Sequence, residues 1–145
     1  MTETILPFSS PNEEYVADAC IFFCFDDRFW RLRKTLIKER GFKNIDPVIV
    51  AGSAKTLAGE NPAARDFLLD QIGISRRLHH VKEVILVLHI DCGAYGFSKS
   101  FPSRDEEYRH HEAELTKAKA VVNGRFPDLV VSCFIADFDG LHKGR

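Results

Sequence analysis

Val84-Ile-Leu-Val-Leu-His89 is the stretch of sequence that decides the predicted fold. Its uninterrupted apolar run has the length of a strand, and a strand without polar alternation is typical of a parallel sheet covered on both faces. The run ends on a histidine, and Cys92 follows three residues later. Because parallel sheets bind ligands beyond the carboxyl ends of their strands, we expect chemistry at this end of the segment.

Three other apolar runs repeat this pattern along the chain. They predict strands at Ala19–Phe25, Pro47–Val50 and Leu129–Ala136. Amphipathic segments lie between the runs, so strands and helices alternate from one end of the sequence to the other. This alternation predicts an α/β fold with a mostly parallel sheet of four to five strands and helices on both faces.

The helices are predicted from spacing and from their end signals. A helical pattern from Phe29 ends near Gly41, and a second begins at Asn61-Pro62, with Gly73 expected to break or bend it. Ser103, three residues before Glu106, forms a capping box for a third. The apolar stripe of this third helix contains Tyr108, Leu115, Ala118 and Val122.

Length and charge limit the possible organisation and partners. The chain has 145 residues with twelve Phe, enough to fill one core, and we expect a single domain over 1–145. Lys and Arg (20) nearly balance Asp and Glu (21), so the net charge of −1 offers no positive field for nucleic acid or an anionic membrane. Without a signal-peptide pattern or an apolar run of roughly 18 residues, we expect a soluble cytoplasmic protein.

Cys24, His89 and Cys92 are the predicted metal ligands. Cys24 falls at the end of the first strand, while His89 and Cys92 fall at the end of the third, so all three reach one crevice. Two thiolates and an imidazole suit Zn²⁺, and three protein ligands leave one tetrahedral position open. The alternative interpretation is a redox thiol pair without metal. We expect Cys20 and Cys133, which lie within apolar runs, to be small buried residues.

Asp26 and Arg28 follow Cys24 on the turn into the first helix. A bidentate pair of these side chains would fix the carboxylate and leave one oxygen to orient a zinc-bound water. Asp26 is also able to swing in as a fourth ligand. The alternative is that Asp26-Asp27 is favourable charge at a helix N-terminus and Arg28 a solvated helix residue.

Two motifs carry a resemblance to a known family. Cys24-Phe-Asp-Asp-Arg28 matches the Cys-x-Asp-x-Arg motif of the β-class carbonic anhydrases, and His89-Ile-Asp-Cys92-Gly93 matches their His-x-x-Cys-Gly motif. The order and separation of the motifs also fit, and the resemblance runs from about Ala19 to Gly96. It implies a zinc ion bound by Cys24, His89 and Cys92. It further implies a catalytic dyad of Asp26 and Arg28.

The same resemblance implies an activity and an assembly. The implied reaction is reversible hydration of carbon dioxide to bicarbonate by zinc-bound hydroxide, and the implied assembly is a homodimer or higher homo-oligomer. The sequence departs from the family at Ile49-Val-Ala51-Gly52, where Arg-Asn-Ala-Gly is usual, and at Leu88, where glycine is usual. Two alternatives therefore stay open: a zinc hydrolase of carbonyl sulfide or carbon disulfide, and a non-catalytic zinc protein with Asp26 as fourth ligand.

The remaining polar residues receive simpler interpretations. We expect the pairs His79-His80 and His110-His111 to lie on a solvated surface, because adjacent residues of a helix point in different directions. We expect His142 to belong to a mobile tail. The loop Ser53–Thr56, which follows the second strand, either lines the substrate pocket or is a plain connection.

Overall fold

The computed structural model describes residues 2–144, and five strands in this range form one sheet. The strands are β1 (Ala19–Cys24), β2 (Ile45–Val50), β3 (Glu83–His89), β4 (Val130–Ala136) and β5 (Leu141–Lys143). The first four coincide with the four apolar runs of the sequence. The predicted α/β fold is confirmed, including the mostly parallel sheet.

Within the same range, four α-helices connect the strands. They are α1 (Trp30–Glu39), α2 (Lys55–Ala58), α3 (Pro62–His79) and α4 (Arg104–Arg125). The expected N-terminal signals are in place: the Asn61 side chain accepts a hydrogen bond from Ala64 N, and the Ser103 hydroxyl accepts one from Glu106 N. Each cap satisfies a backbone N–H that the first turn of a helix leaves without a partner.

The strand order places a topological switch at the centre of the sheet. The order is β2-β1-β3-β4-β5, with β1 to β4 parallel and β5 antiparallel to β4. From β1 the chain moves outward to β2 and then crosses back to form β3 on the other side of β1. The crevice between β1 and β3 is thus the expected ligand position in a sheet of this kind.

Helices cover both faces of the sheet, as predicted. Phe22 and Leu86 belong to the larger apolar cluster, which they share with residues of α2, α3 and α4. Ile21 and Ile85, their neighbours along β1 and β3, belong to a second cluster that includes Leu36 of α1. Burial on both faces explains why the central strands lack polar alternation.

Two predictions about the chain path are wrong. The predicted break at Gly73 is absent: α3 continues to His79, and Gly73 faces the ring of Phe126. His142 is not in a mobile tail. It lies in β5, where its ring bonds the carboxylate of Asp137 at 2.9 Å. Among residues 2–144, no helix is both long and apolar enough to cross a membrane.

Candidate metal centre

β1 and β3 separate at their carboxyl ends. The two strands pair with each other only as far as Phe22 and Leu86. Beyond that point β1 continues alongside β2 to Cys24, and β3 continues alongside β4 to His89. A crevice therefore opens at the switch point, with Cys24 on one side and His89 on the other.

The three predicted metal ligands meet in this crevice. One ligand atom from each of Cys24, His89 and Cys92 lies within 4.8 Å of the other two, and the two sulfur atoms are 4.0 Å apart. Zn–S bonds of ~2.3 Å at a tetrahedral angle require sulfur atoms about 3.8 Å apart. The arrangement therefore fits a tetrahedral cation with little movement of either thiol.

His89 has the tautomer and orientation that a metal ligand needs. Its Nδ1 lies 2.8 Å from the carbonyl oxygen of Ile90, to which it donates a hydrogen bond, and the lone pair is thus on Nε2. Nε2 is buried and makes no hydrogen bond to any residue within 2–144. The ring of Phe29 packs against the imidazole with centroids 4.4 Å apart and fixes its plane. A buried acceptor left in this way costs free energy unless a cation binds it.

The two thiols are close enough to shift each other's pKa. The hydrogen bond from the Cys92 thiol lowers the pKa of Cys24 to about 4, and the neighbouring Cys24 sulfur raises the pKa of Cys92. The arrangement therefore favours ionisation of the Cys24 thiol before that of Cys92. A divalent cation would displace the remaining proton, since thiolates rather than thiols ligate metals.

Asp26 and Arg28 form the expected bidentate pair beside the three ligands. Arg28 donates from Nη2 and Nε to the Asp26 carboxylate at 2.7 and 3.1 Å, and its backbone N–H donates to the same group. These hydrogen bonds hold the pKa of Asp26 below its usual value. Asp26 Oδ2 lies 3.8 Å from His89 Nε2, so the carboxylate faces the ligand set.

Arg28 also contacts the other motif. Its Nη1 donates to the Asp91 carboxylate at 3.0 Å, and its Nη2 donates to the Asp91 backbone carbonyl at 2.9 Å. Arg28 is thus not a solvated helix residue, although 43% of its side chain is exposed. The structure brings all five predicted site residues together, while their roles as ligands and catalytic pair stay predictions.

Comparison with known proteins assigns the chain to a family. The family model described as "Putative carbonic anhydrase" matches residues 16–140. The chain belongs to this family. Both motifs fall inside the matched range, and the resemblance to the carbonic anhydrases that they indicated is confirmed.

Similar proteins agree with a divergent member of the carbonic anhydrase family. An uncharacterized protein of Rickettsia conorii is 28% identical over 130 residues, which cover 86% of this chain and 70% of that protein. A carbonic anhydrase of Streptococcus mutans has the same fold, with a TM-score of 0.61 at 15% identity over 94% of this chain and 88% of that one.

Two further solved structures share the fold. A β-carbonic anhydrase of Trichomonas vaginalis gives a TM-score of 0.60 at 14% identity, covering 96% of this chain and 90% of that one. The apo form of a carbon disulfide hydrolase gives 0.59 at 15% identity, covering 91% of this chain and 80% of that one. At these identities the comparison establishes the fold that this chain shares with carbonic anhydrases.

The turn after β2 and the start of α2 contact the second motif of this carbonic anhydrase-like chain. Lys55 Nζ donates to the carbonyl of Ala94 at 2.7 Å, and Ser53 is fully buried. A Cβ at Gly52 would lie 2.9 Å from the Cβ of Ala94, so only glycine fits this approach. Glycine at position 52 therefore has a packing reason.

Sequence reasoning missed a buried carboxylate at this centre. Glu107 is 1% exposed, and it accepts hydrogen bonds from Asp91 N and Ser98 Oγ, both at 2.7 Å. The signal was present, because Glu107 and His111 extend the predicted stripe of α4 backwards from Leu115 in steps of four residues. A polar residue in a helical first turn is normally read as exposed, which concealed it.

The expected solvated surface for the paired histidines is wrong for two of the four. His111 is fully buried, and neither ring nitrogen has a hydrogen-bond partner in the described part of the chain. His79 is half-buried and its Nδ1 bonds the carboxylate of Asp46 at 2.8 Å. His80 and His110 are exposed, as expected.

Proposed function

We propose that the protein binds Zn²⁺ through Cys24, His89 and Cys92 and catalyses the reversible hydration of carbon dioxide to bicarbonate. The observation that carries the proposal is the buried Nε2 of His89, which lies beside the two sulfur atoms and makes no hydrogen bond to any residue among 2–144. Membership of the carbonic anhydrase family supports the same reaction.

The donor set favours zinc over harder cations. Magnesium and calcium prefer oxygen ligands, whereas one imidazole and two thiolates suit a borderline-soft ion. When bound, zinc supplies a Lewis acid that lowers the pKa of a water molecule to about 7. Three protein ligands leave room for that water within reach of Asp26.

In this proposal Asp26 is the hydrogen-bond acceptor of the reaction. Arg28 occupies one edge of its carboxylate and keeps it ionised, so the remaining lone pairs would accept a hydrogen bond from the attacking water. Because Arg28 fixes the rotamer, the acceptor oxygen keeps one direction during the reaction. Asp26 thus orients the nucleophile rather than binding the substrate.

The wall of the centre suits an uncharged substrate. A cavity of about 10 Å³ adjoins Cys24 and His89. Its other walls are mainly the apolar side chains of Phe23, Phe29, Leu32 and Val87. A cavity of this volume is no larger than one water molecule, so its apolar walls favour an uncharged substrate over an ionic one but do not select for size.

Stopped-flow measurement of carbon dioxide hydration tests the proposal. We expect zinc-dependent activity that rises between pH 6 and 9, because the reactive water must lose a proton, and a loss of tenfold or more in Asp26→Asn. Asp27→Asn, at the adjacent carboxylate, serves as the matched control and should retain activity. A wild-type rate equal to that of the metal-free protein would contradict the proposal.

A second candidate keeps the same centre but changes the substrate. The fold matches that of a carbon disulfide hydrolase, and the family's usual Arg-Asn pair is replaced by Ile49-Val50 on β2. An apolar pair at that position favours carbon disulfide or carbonyl sulfide. Release of hydrosulfide from either compound, at a rate above that of carbon dioxide hydration, would support this substrate instead.

The non-catalytic alternative depends on the position of Asp26. At 3.8 Å from His89 Nε2, its carboxylate is near enough to become a fourth ligand and close the tetrahedron. If it does so at all pH values, Asp26→Asn lowers zinc affinity and neither form hydrates carbon dioxide. Lower zinc affinity in Asp26→Asn, together with no hydration activity in either form, would therefore identify a structural zinc site.

We also infer a homodimer that works in the cytoplasm. Ile5, Leu6 and Phe8 expose 91%, 75% and 84% of their surface, and a partner subunit would cover such side chains. A reducing compartment would keep the Cys24 and Cys92 thiols available for metal. Sedimentation velocity tests the assembly, and a species of 16.5 kDa at micromolar concentration would contradict it.

A further inference from the structure

Glu107 is a carboxylate that the proposed reaction does not use. It lies in the first turn of α4 and is 1% exposed. A buried carboxylate is costly unless hydrogen bonds satisfy it, and both oxygens of Glu107 are satisfied: Oε1 by Asp91 N and Oε2 by Ser98 Oγ, each at 2.7 Å. Both donors belong to the segment that carries the second motif.

Asp91 is one of the two residues between the ligands of that motif, and it directly precedes Cys92. Its backbone has a φ of 59°, in the left-handed region that a residue other than glycine enters at a cost of roughly 1 kcal/mol. A turn of this kind persists only when its surroundings hold it. Because His89 and Cys92 lie on either side, rotation of the Asp91 backbone would move both ligands.

Four groups hold Asp91 in this conformation. Glu107 accepts from its N–H, and Arg28 Nη2 donates to its carbonyl at 2.9 Å. Its carboxylate accepts from Ser98 N at 2.9 Å and from Arg28 Nη1 at 3.0 Å. Every polar group of Asp91 is thus bonded, and Arg28 continues the chain of contacts to Asp26.

We propose that Glu107 is a positioning residue which, through Asp91, sets both the His89–Cys92 ligand turn and the Arg28–Asp26 pair. The inference rests on the function proposed above. It assigns the acceptor on α4 a role in zinc affinity, since hydrogen bonds behind metal ligands commonly change affinity by 10- to 100-fold. A merely structural role would lower stability and leave the metal site of the folded protein unchanged.

Zinc affinity of the full chain, measured by competition with a chromophoric chelator, tests this role. Glu107→Met keeps the volume but removes the hydrogen-bond acceptor. Glu107→Asp keeps the carboxylate, but its side chain is one methylene shorter and places the oxygens farther from Asp91 N. We expect each folded variant to bind zinc at least tenfold more weakly. Glu107→Gln retains an oxygen for Asp91 N–H and should bind within about threefold of the wild type.

The visible absorption spectrum of the Co²⁺-loaded protein reports on the metal site independently of the stability of the fold. We expect its visible absorption bands to shift in Glu107→Met and Glu107→Asp and to return to wild type in Glu107→Gln. Glu106→Gln, at the adjacent exposed residue, is the matched control and should leave the bands unchanged. Circular dichroism identifies the folded variants, and Glu107→Asp carries the test if Glu107→Met does not fold.

The outcomes separate this inference from the proposed function. Wild-type protein that binds no zinc overturns both. Tight zinc binding by the wild type, together with unchanged affinity and unchanged Co²⁺ bands in the folded Met or Asp variant, overturns the role of Glu107 alone. Weakened binding in Glu107→Gln equal to that in Glu107→Met would also overturn it, because the acceptor would then not be what matters.

Discussion

Arg28 is the residue at which the two motifs touch. Its guanidinium bonds the Asp26 carboxylate, the Asp91 carboxylate and the Asp91 carbonyl at once. A lysine ammonium is a point charge without this fork geometry, so Arg28→Lys keeps the charge but loses the arrangement. We expect carbon dioxide hydration to fall at least tenfold, measured as kcat by stopped flow.

A neighbouring arginine provides the control for this substitution. Arg31 is exposed on α1, where its guanidinium packs over the ring of Trp30. Arg31→Lys should leave kcat within about twofold of the wild type. Equal activity of Arg28→Lys and the wild type would show that charge alone, without the bidentate contact, serves the site.

His111 makes stability depend on pH. Burial lowers the pKa of this imidazole to about 4, against about 6.5 in an unfolded chain, although Glu107 lies 3.9 Å from its Nε2. Below pH 6.5 the unfolded state therefore binds more protons than the folded state, and stability falls as pH falls towards 4. Between pH 7 and 5 we expect a loss on the order of 1–2 kcal/mol from this residue.

Urea unfolding at several pH values measures that loss. In His111→Leu the difference between pH 7 and 5 should shrink, because the group that gains a proton on unfolding is absent. His110→Leu, at the exposed neighbour, should keep the wild-type dependence. The same pH slope in His111→Leu and the wild type would show that other groups govern acid stability.

At the scale of elements, two glycines should respond to alanine with opposite signs. Gly73 lies inside α3, and an added Cβ would meet the Phe126 ring at an ordinary contact distance of 3.5 Å. Gly73→Ala should therefore raise the free energy of unfolding by about 0.5–1 kcal/mol through helix propensity. Gly41 follows α1 with a φ of 66°, and Gly41→Ala should lower it by about 1 kcal/mol.

Chemical denaturation of both variants tests this pair. The two substitutions add the same methyl group, so each is the control for the other. A loss of stability in Gly73→Ala would mean that Phe126 cannot accommodate the methyl group. Backbone conformation alone would then not explain the difference between Gly41 and Gly73.

The elements also show what sequence can and cannot predict here. β3 was predictable because Val84–Leu88 is buried on both faces, and such a strand has an uninterrupted run of apolar residues. The continuation of α3 past Gly73 was not, since the residues of α3 pack in a cluster with segments distant in sequence, including Phe126. The spacing of α4 placed Glu107 on the buried stripe, but its hydrogen-bond partners could not be predicted because they belong to another segment.

In the candidate site, too, some features were predictable from sequence and others were not. Cys24, His89 and Cys92 were predictable because each lies at or just beyond a strand end, and the topology of a parallel sheet brings strand ends together. The contact between Arg28 and Asp91 was not, because it depends on side-chain reach across the crevice. Strand positions follow from local composition, whereas the hydrogen bonds around them follow from tertiary packing.

For the whole molecule, the centre lies where the two central strands of the sheet diverge. β1 and β3 pair over three residues, from Cys20 to Phe22 on β1, and then diverge. A metal bound by Cys24 on one strand and by His89 and Cys92 beyond the other would close this gap. Metal binding should therefore stabilise the sheet as a unit and not only the loops around the ion.

Thermal unfolding with and without zinc tests this coupling. At a zinc concentration 1,000 times the Kd, binding to the folded state alone adds about 4 kcal/mol, which for a chain of this size raises Tm on the order of 10 °C. Cys92→Ser should lose most of that rise, whereas Cys133→Ser, at a half-buried thiol of β4, should keep it. Equal Tm values for zinc-loaded and chelator-treated wild type would mean that no metal joins β1 to β3. The crevice would then be closed by the Cys24–Cys92 hydrogen bond alone.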